Sequence, residues 1–334
     1  MEADPALLSC LPDVPGPKLP PFTPTGFAEI EFLEFLGNEE DADSNVWKVN
    51  IKLNDEWKVY ALKMFTRSVV CGREYEAVSF QCDLTWDQVD EAFKSPFSAE
   101  CRAYGRLKEA GREDLAFKAY GYLLISLAQQ AQLYKTWFGY EPNDEDLDIL
   151  WKRDAEFRDI PIYAIVKELV AAPDSHDDSE ETQSRLKVLR PCQVRKLWED
   201  LQEIHNLGIV VRDINYFNYL EGKLIDFSRA WTTFHPCSDD CGDYHLPPSP
   251  FLKEVSTDTI DLHEMVRDVI AEGRIETSVA EEMEKICEEF YDRVKMGLHV
   301  RKYECRREEG LAGPESEDEN ISTITEVVVV VTEN

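Results

Sequence analysis

Three polar residues between Leu201 and Trp231 have the types and spacing needed for phosphoryl-transfer chemistry. Asp213 follows an arginine, Asn218 lies five residues later, and Asp226 precedes a phenylalanine after a short apolar run. In the pattern H-R-D-x-x-x-x-N followed by D-F-G, the first Asp accepts a hydroxyl proton, while the Asn and the second Asp hold Mg²⁺. The spacing therefore predicts Asp213 as a catalytic residue and Asn218 and Asp226 as Mg²⁺ ligands.

The upstream half contains further parts of an ATP site, in the order that protein kinases use. The segment 59–65 reads as a strand of the V-A-I-K type, in which Ala61 packs on adenine and Lys63 contacts the phosphates. A lysine beside phosphates needs a carboxylate to hold it, and Glu100 lies on the next predicted helix. We therefore add Lys63 and Glu100 to the candidate catalytic residues and Ala61 to the candidate cofactor-binding residues.

Two more segments complete the predicted nucleotide site. Residues 161–170 read as the strand that leads into a kinase hinge, where Glu168 and Val170 would offer backbone groups to adenine. Gly37 and Val46 bound the segment where kinases place their glycine-rich loop. This segment holds one glycine and four carboxylates. We expect a poor phosphate cradle, because glycine lets backbone N–H groups approach phosphates and carboxylates repel them.

Five sequence segments carry a family resemblance: ALKMF, FSAECRAYGRLKE, AIVKELV, GIVVRDINYFNY and LIDFSRAW. Together they resemble the fungal protein-kinase-like proteins grouped with the kinetochore Sim-complex subunit Fta-two, over residues 27 to 235. The resemblance implies an α+β, two-lobed protein-kinase-like fold with a small, mostly β N-lobe and a reduced helical C-lobe. It also implies a kinetochore complex as the partner.

Departures from the kinase pattern leave several functions open. Val211 replaces the His of H-R-D, Ser228 replaces the Gly of D-F-G, and no A-P-E follows. Lys167 stands where kinases usually keep an uncharged residue, so it could compete for Glu100, neutralise Asp226 or extend out of the pocket. Our main interpretation is a protein-kinase-like domain that binds Mg²⁺ and ATP and that, if it is active, is an atypical phosphotransferase. The alternatives are an inactive pseudokinase scaffold and a kinetochore-complex subunit.

Composition divides the chain into five segments. Residues 1–26 contain seven prolines and are expected to form a disordered arm. An N-lobe with the hinge is predicted over 27–170, an acidic linker loop over 171–190 and a C-lobe over 191–306. A disordered acidic tail is expected over 307–334.

The predicted C-lobe supplies the elements that must position Asp213. Apolar residues at helical spacing predict a helix over 192–207 that ends at Gly208 and leads into the Asp213 segment. A second helix is predicted over 257–271. It carries Asp258 and Asp261, and kinases use one helical Asp to brace the backbone of this segment. The sequence does not choose between the two.

Charge and apolar patterning bear on partners and location. The net charge is −31, so we expect no direct binding to nucleic acid or membranes, and basic protein partners are favoured. The sequence has no apolar run of 18 residues and no signal peptide pattern, so we expect an intracellular protein, cytoplasmic or nuclear. Nine scattered cysteines are typical of reduced thiols.

One Cys and His cluster has zinc-ligand types but not zinc-finger spacing. His235, Cys237, Cys241 and His245 fall within eleven residues, without the long central loop of a zinc finger. A metal site remains an alternative there, and a polar loop is the expected structure.

Overall fold

The amino-terminal part of the described chain contains an antiparallel sheet of five strands, with three helices between its strands and three longer helices after it. The computed structural model describes residues 11, 16–37, 44–66, 93, 95–153, 155, 158–170, 191–220, 222–233, 250–271 and 277–295. The sheet has the order β1-β2-β3-β5-β4, with β1 Ile30–Phe35, β2 Ser44–Leu53, β3 Glu56–Phe65, β4 Ala119–Ile125 and β5 Ile162–Lys167. The expected α+β class with a mostly β amino-terminal part is confirmed.

The helices of the described residues lie after β3, and the longest ones lie in the carboxyl-terminal half. They are α1 Pro96–Glu109, α2 Leu127–Phe138, α3 Asp144–Leu150, α4 Pro191–Asn206, α5 Pro250–Ala271 and α6 Thr277–Lys295. Two pairs of short antiparallel strands join the segments between α4 and α5: β6 Ile209–Val210 with β9 Trp231–Thr232, and β7 Tyr219–Leu220 with β8 Lys223–Leu224.

A tight hairpin turn connects β2 and β3. Asn54 and Asp55 both have positive φ, at 49° and 65°, and the strands pair from Leu53 with Glu56 outward to Ser44 with Phe65. Two-residue turns of this conformation match the twist of the strands, and Asn and Asp tolerate it better than most residues. An Asn-Asp pair between two segments of strand-forming residues is a sequence signal for such a hairpin, and the structure forms the turn at this pair.

The two faces of the sheet are covered by different helices. Successive side chains of a strand point to opposite faces, so Leu62 and Met64 of β3 enter one apolar core while Lys63 faces the other side. The first core includes Leu133 of α2 and Trp151 at the end of α3. The second core joins α1 to α4, α5 and α6 across the segments that carry the candidate site.

Residues 16–26, called the strap below, pack against α1 and β4. The Leu19 N–H donates to the Cys101 carbonyl at 2.9 Å, and Leu19 is only 1% exposed. Further along, the Phe22 N–H donates to the Tyr122 carbonyl at 2.8 Å, and the Tyr122 N–H donates to the Pro20 carbonyl at 3.1 Å. Proline-rich backbone keeps its carbonyl acceptors, and here they complete the edge of β4.

For residues 16–26 the packed strap differs from the expected disordered arm, and residues 1–10 and 12–15 lie outside the described residues. The strap residues are packed, because Leu19 supplies an apolar side chain to the core and the extended backbone finds hydrogen-bond partners. The packed amino-terminal part of the described chain therefore begins before residue 27. The expected linker loop 171–190 and tail 307–334 lie outside the described residues and stay predictions.

The predicted helix before the Asp213 segment is confirmed within one residue at each end. α4 ends at Asn206, and Gly208 follows with φ +75°, a left-handed conformation that glycine adopts without steric cost. An added Cβ at Gly208 would lie 2.3 Å from Thr233 Oγ1. The helix predicted over 257–271 ends where predicted but begins earlier, at Pro250.

Candidate functional site

Lys63 joins two of the other candidate residues in a buried charge cluster. Its side chain is 5% exposed, and its Nζ donates to Glu100 Oε2 at 2.8 Å and to Asp226 Oδ1 at 2.7 Å. Strand β3 supplies Lys63, helix α1 supplies Glu100, and the segment after β8 supplies Asp226. Residues separated by 37 and 163 positions in the sequence thus meet in one place.

Lys167 occupies the other side of Glu100. Lys167 Nζ donates to Glu100 Oε1 and, at 2.5 Å, to the Ile225 carbonyl. The Tyr104 hydroxyl donates to the same carbonyl at 3.3 Å, and the Lys167 ammonium lies 4.9 Å from the centroid of the Tyr104 ring. Of the alternatives left open for Lys167, direct contact with Glu100 is observed, and the Lys167 ammonium also favours the charged form of Asp226.

The contacts of the cluster favour the charged forms of Asp226 and Lys63. Burial alone would raise the pKa of Asp226, but the nearby ammonium groups of Lys63 and Lys167 hold it well below its usual range. Burial likewise opposes the charged form of Lys63, and Asp226 and Glu100 together raise its pKa above the ordinary value. Burial and the Glu100 carboxylate raise the pKa of Tyr104, so its hydroxyl stays protonated and donates.

Asp213 and Asn218 lie on the neighbouring segment before β7. Asp213 Oδ1 accepts from Asn215 Nδ2 at 2.9 Å, and Asp213 Oδ2 lies 3.9 Å from Arg229 Nε. Asn218 Nδ2 donates to the backbone carbonyl of Asp213 at 2.9 Å. The Ile225 N–H donates to the Asn218 carbonyl at 2.9 Å, which places Asn218 beside the strand that delivers Asp226.

A local turn explains the conformation of this segment. The Asn215 side chain accepts from the N–H groups of Phe217 and Asn218, at 2.9 Å and 3.2 Å, and so caps a short 3₁₀ helix over Tyr216–Asn218. Sequence reasoning missed this role of Asn215 and the ion pair of Arg229. The signal for the first was an Asn three residues before Asn218, a typical capping spacing.

Asp258, not Asp261, braces the backbone before Asp213. Its buried carboxylate accepts from the Val211 and Arg212 N–H groups, each at 2.7 Å, and lies 3.0 Å from His205 Nε2. Arg212 has φ +63°, a conformation that costs energy for a residue with a side chain and is held here by these bonds. The contact with His205 was not anticipated from the sequence.

The candidate adenine-binding residues border the cluster along the sheet. Val46 pairs with Lys63 and Ala61 pairs with Lys167 in the strand register. The Glu168 N–H donates to the Lys118 carbonyl at 2.9 Å, so a ligand at this position would need other backbone groups.

Gly37 and Val170, two further candidate cofactor-binding residues, each lie beside a segment that the structure does not describe. Near Gly37, the Leu36 N–H donates to the Val46 carbonyl at 2.8 Å and closes the chain onto β2. Val170 is the last described residue before a gap, and residues 38–43, with the four carboxylates, lie outside the described part.

The oxygen donors near Lys63 fit a Mg²⁺ ion that also binds phosphates. Asp226 stays ionised, its side chain is 25% exposed, and both of its hydrogen bonds use Oδ1. Mg²⁺ commonly takes one or two protein carboxylates and completes its shell with water and substrate phosphates. In the part of the chain that the structure covers, no three His, Cys, Asp or Glu side chains form a metal-binding group. The His235 to His245 cluster lies outside that part.

Comparison with known families adds a finding that the geometry alone does not provide. The model of a family described as kinetochore Sim4 complex subunit FTA2 matches residues 7–231, more than half of the chain. The chain belongs to this family. The FTA2 match spans the strap, the sheet and every candidate site residue, and it ends before α5 and α6. A search of curated proteins found no match.

The part of this FTA2-family chain that the structure describes has no membrane-spanning candidate. None of the described helices combines the length and the apolar character that crossing a lipid bilayer requires.

Proposed function

We propose that this chain is a subunit of a kinetochore complex and works in the nucleus through contacts with other proteins. Membership of the FTA2 family over residues 7–231 is the observation that carries this proposal. A net charge of −31 also favours basic protein partners over direct contact with DNA.

The test is localisation and co-purification in cells that produce the tagged chain from its own locus. We expect foci that coincide with a centromere marker and co-purification with the other subunits of the complex. A diffuse signal throughout the cell cycle, with no kinetochore protein recovered, would reject the proposal. A tagged nuclear protein of similar size and acidity serves as the matched control.

We further propose that the domain has a protein-kinase-like architecture. Three observations support it: the pairing of Lys63 on β3 with Glu100 on α1, the contact of Lys63 with Asp226, and the bracing of the Asp213 segment by Asp258. These contacts occur in the order along the chain that the resemblance implies.

A second candidate function is the binding of ATP with Mg²⁺ at this cluster, and the position of Lys63 between Glu100 and Asp226 favours it. Lys63 would hold phosphates, and Asp226 with Asn218 would hold the metal. Val46 and Ala61 would line the adenine side, with Gly37, Glu168 and Val170 at its borders. Bound Mg²⁺ would neutralise phosphate charge.

Phosphoryl transfer is the proposed activity that separates an enzyme from a pseudokinase scaffold. Asp213 would accept the proton of an acceptor hydroxyl, since its side chain is 37% exposed and Asn215 orients one of its oxygens. Asp213→Asn should then keep ATP binding and lose turnover. Equal turnover in both proteins would reject this role, and binding without turnover in the wild type would favour the scaffold.

Nucleotide binding is tested by the thermal shift of the full chain with ATP, with and without Mg²⁺. A ligand at 100 times its dissociation constant stabilises the folded state by about 2.7 kcal/mol. ATP should not raise the melting temperature of the Lys63→Met variant above the value measured for that variant without ATP. Lys135→Met is the matched control, because Lys135 is exposed on α2 and pairs with Glu141. If millimolar ATP does not shift the melting temperature of the wild type, the proposal is rejected.

A further inference from the structure

Lys167 gives the candidate nucleotide cluster a second buried cation. Its side chain is 9% exposed, and it is fixed by the β3–β5 register opposite Ala61. Its ammonium donates to one Glu100 oxygen while Lys63 donates to the other. Glu100 is fully buried, so these two lysines share one carboxylate in a region that water does not screen.

The extra lysine changes the net charge of the cluster. Lys63 with the two carboxylates of Glu100 and Asp226 would carry a formal charge of −1. Lys167 brings that sum to zero. Its field also reaches Asp226, because Lys167 contributes to the lowered pKa of that carboxyl.

A neutral cluster differs from a negative one in what it attracts. Phosphate groups that approach a net negative site need a divalent cation to offset the repulsion, whereas a neutral site with two ammonium groups repels them less. The same added charge weakens the attraction of Asp226 for Mg²⁺. Both effects lower the contribution of the metal to the binding of the nucleotide.

We propose that Lys167 supplies part of the positive charge that Mg²⁺ would otherwise bring, so that ATP binds this cluster with little dependence on divalent metal. This inference rests on the proposed nucleotide site. Lys167 acts as a specificity-determining residue: it contacts Glu100 and the Ile225 carbonyl and works on the ligand through charge.

The test is a calorimetric titration of the full chain with ATP, once with Mg²⁺ and once with excess EDTA. The readout is the dissociation constant for ATP in EDTA divided by the dissociation constant for ATP with Mg²⁺. For the wild type we expect a ratio within about threefold of one. Lys167→Met has similar volume and no charge, and it should raise the ratio at least about tenfold, the size expected for one partly screened unit charge.

Two further variants control for charge and for folding. Lys135→Met makes the same substitution on the exposed surface of α2 and should keep the wild-type ratio. Lys167→Arg retains the charge and should also keep a low ratio. If Lys167→Met does not fold, as judged by near-ultraviolet circular dichroism, the wild-type ratio alone decides.

The outcomes separate this inference from the function on which it rests. Wild-type binding that weakens more than about tenfold in EDTA overturns the role of Lys167 but leaves the nucleotide site in place. An unchanged ratio in folded Lys167→Met also overturns it. Absence of ATP binding in both buffers rejects the nucleotide site itself, and the inference with it.

Discussion

At the scale of single residues, Asp258 fixes the backbone that leads to Asp213. One carboxylate accepts from two consecutive N–H groups, those of Val211 and Arg212, and also contacts His205. It therefore fixes the left-handed conformation of Arg212, and with it the direction in which the chain continues to Asp213. An amide could satisfy only part of this set, because its NH₂ group would face backbone donors.

We expect Asp258→Asn to lower the free energy of unfolding by about 2–4 kcal/mol, since it leaves buried donors unsatisfied. Urea denaturation followed by fluorescence measures the change. Glu254→Gln is the control on the same helix, because Glu254 binds the partly buried Arg212 side chain and not the backbone, and its loss should cost only about 1 kcal/mol. Equal effects of the two substitutions would contradict the role of Asp258.

Asp261, one turn later on α5, should show the opposite behaviour and a pH dependence. Burial and neighbouring carboxylates, Asp258 first, raise the pKa of Asp261 to about 6. The folded state then binds this proton more tightly than the unfolded chain, whose carboxyl has a pKa near 4. The ionised Asp261 carboxylate therefore destabilises the folded state. This destabilisation is absent below about pH 4 and is fully present above about pH 6.

Asp261→Asn should consequently stabilise the chain at pH 7, by up to about 1 kcal/mol after solvent screening. The gain should shrink as the pH falls to 4. Denaturation curves of both proteins at several pH values provide the measurement. A difference that does not change with pH, or a variant less stable at pH 7, would disprove this account.

At the scale of elements, the strap holds α1 against the edge of β4. Gly105 of α1 and Gly121 of β4 allow the strap backbone to approach both elements closely. An added Cβ at Gly105 would lie 2.6 Å from the Lys18 carbonyl carbon, and one at Gly121 would lie 2.6 Å from Phe22 Cα. Gly105 is five residues beyond Glu100 on α1, so the strap limits the position of the helix that delivers Glu100 to Lys63.

Gly105→Ala should therefore destabilise the protein, although alanine is the better helix former by about 1 kcal/mol. The clash with the strap backbone should outweigh that gain and cost about 1–3 kcal/mol. Limited proteolysis should also show faster tryptic cleavage after Lys18. Lys108→Ala, at an exposed position of the same helix, should leave both measurements unchanged. If Gly105→Ala is more stable than the wild type, the strap backbone moves away from the added methyl group without loss of stability, and the prediction is wrong.

At the scale of the whole molecule, acidity limits the partners that the surface can attract. A net charge of −31 opposes contact with the phosphates of DNA, whose binding depends on released cations and basic residues. If the chain works at kinetochores, as proposed, its contacts there should be with proteins.

We expect the purified chain at micromolar concentration to leave the mobility of a DNA duplex unchanged at physiological salt. An electrophoretic mobility shift assay measures this, with a basic DNA-binding domain as the positive control. A shift that weakens as salt rises would reveal a basic patch that the overall charge conceals.

Local patterns in the sequence identified several elements and several candidate residues. The Asn54-Asp55 turn and the glycine at the end of α4 were predictable, because backbone conformations with positive φ favour few residue types. Lys63 and Glu100 were candidates because each lies in a short, ordered motif. The two helices between β4 and β5 were missed, since nothing in the kinase pattern places helices there.

The tertiary structure alone decided which long-range contacts form. Asp258 and Asp261 lie three residues apart on one helix face, so only packing against α4 and the Val211 segment distinguishes them. The same holds for Lys167, whose choice of Glu100 depends on how α1 docks under the sheet, and for the strap, whose prolines alone indicated disorder. Sequence periodicity encodes local conformation, whereas burial and charge pairing depend on residues that are distant in the chain.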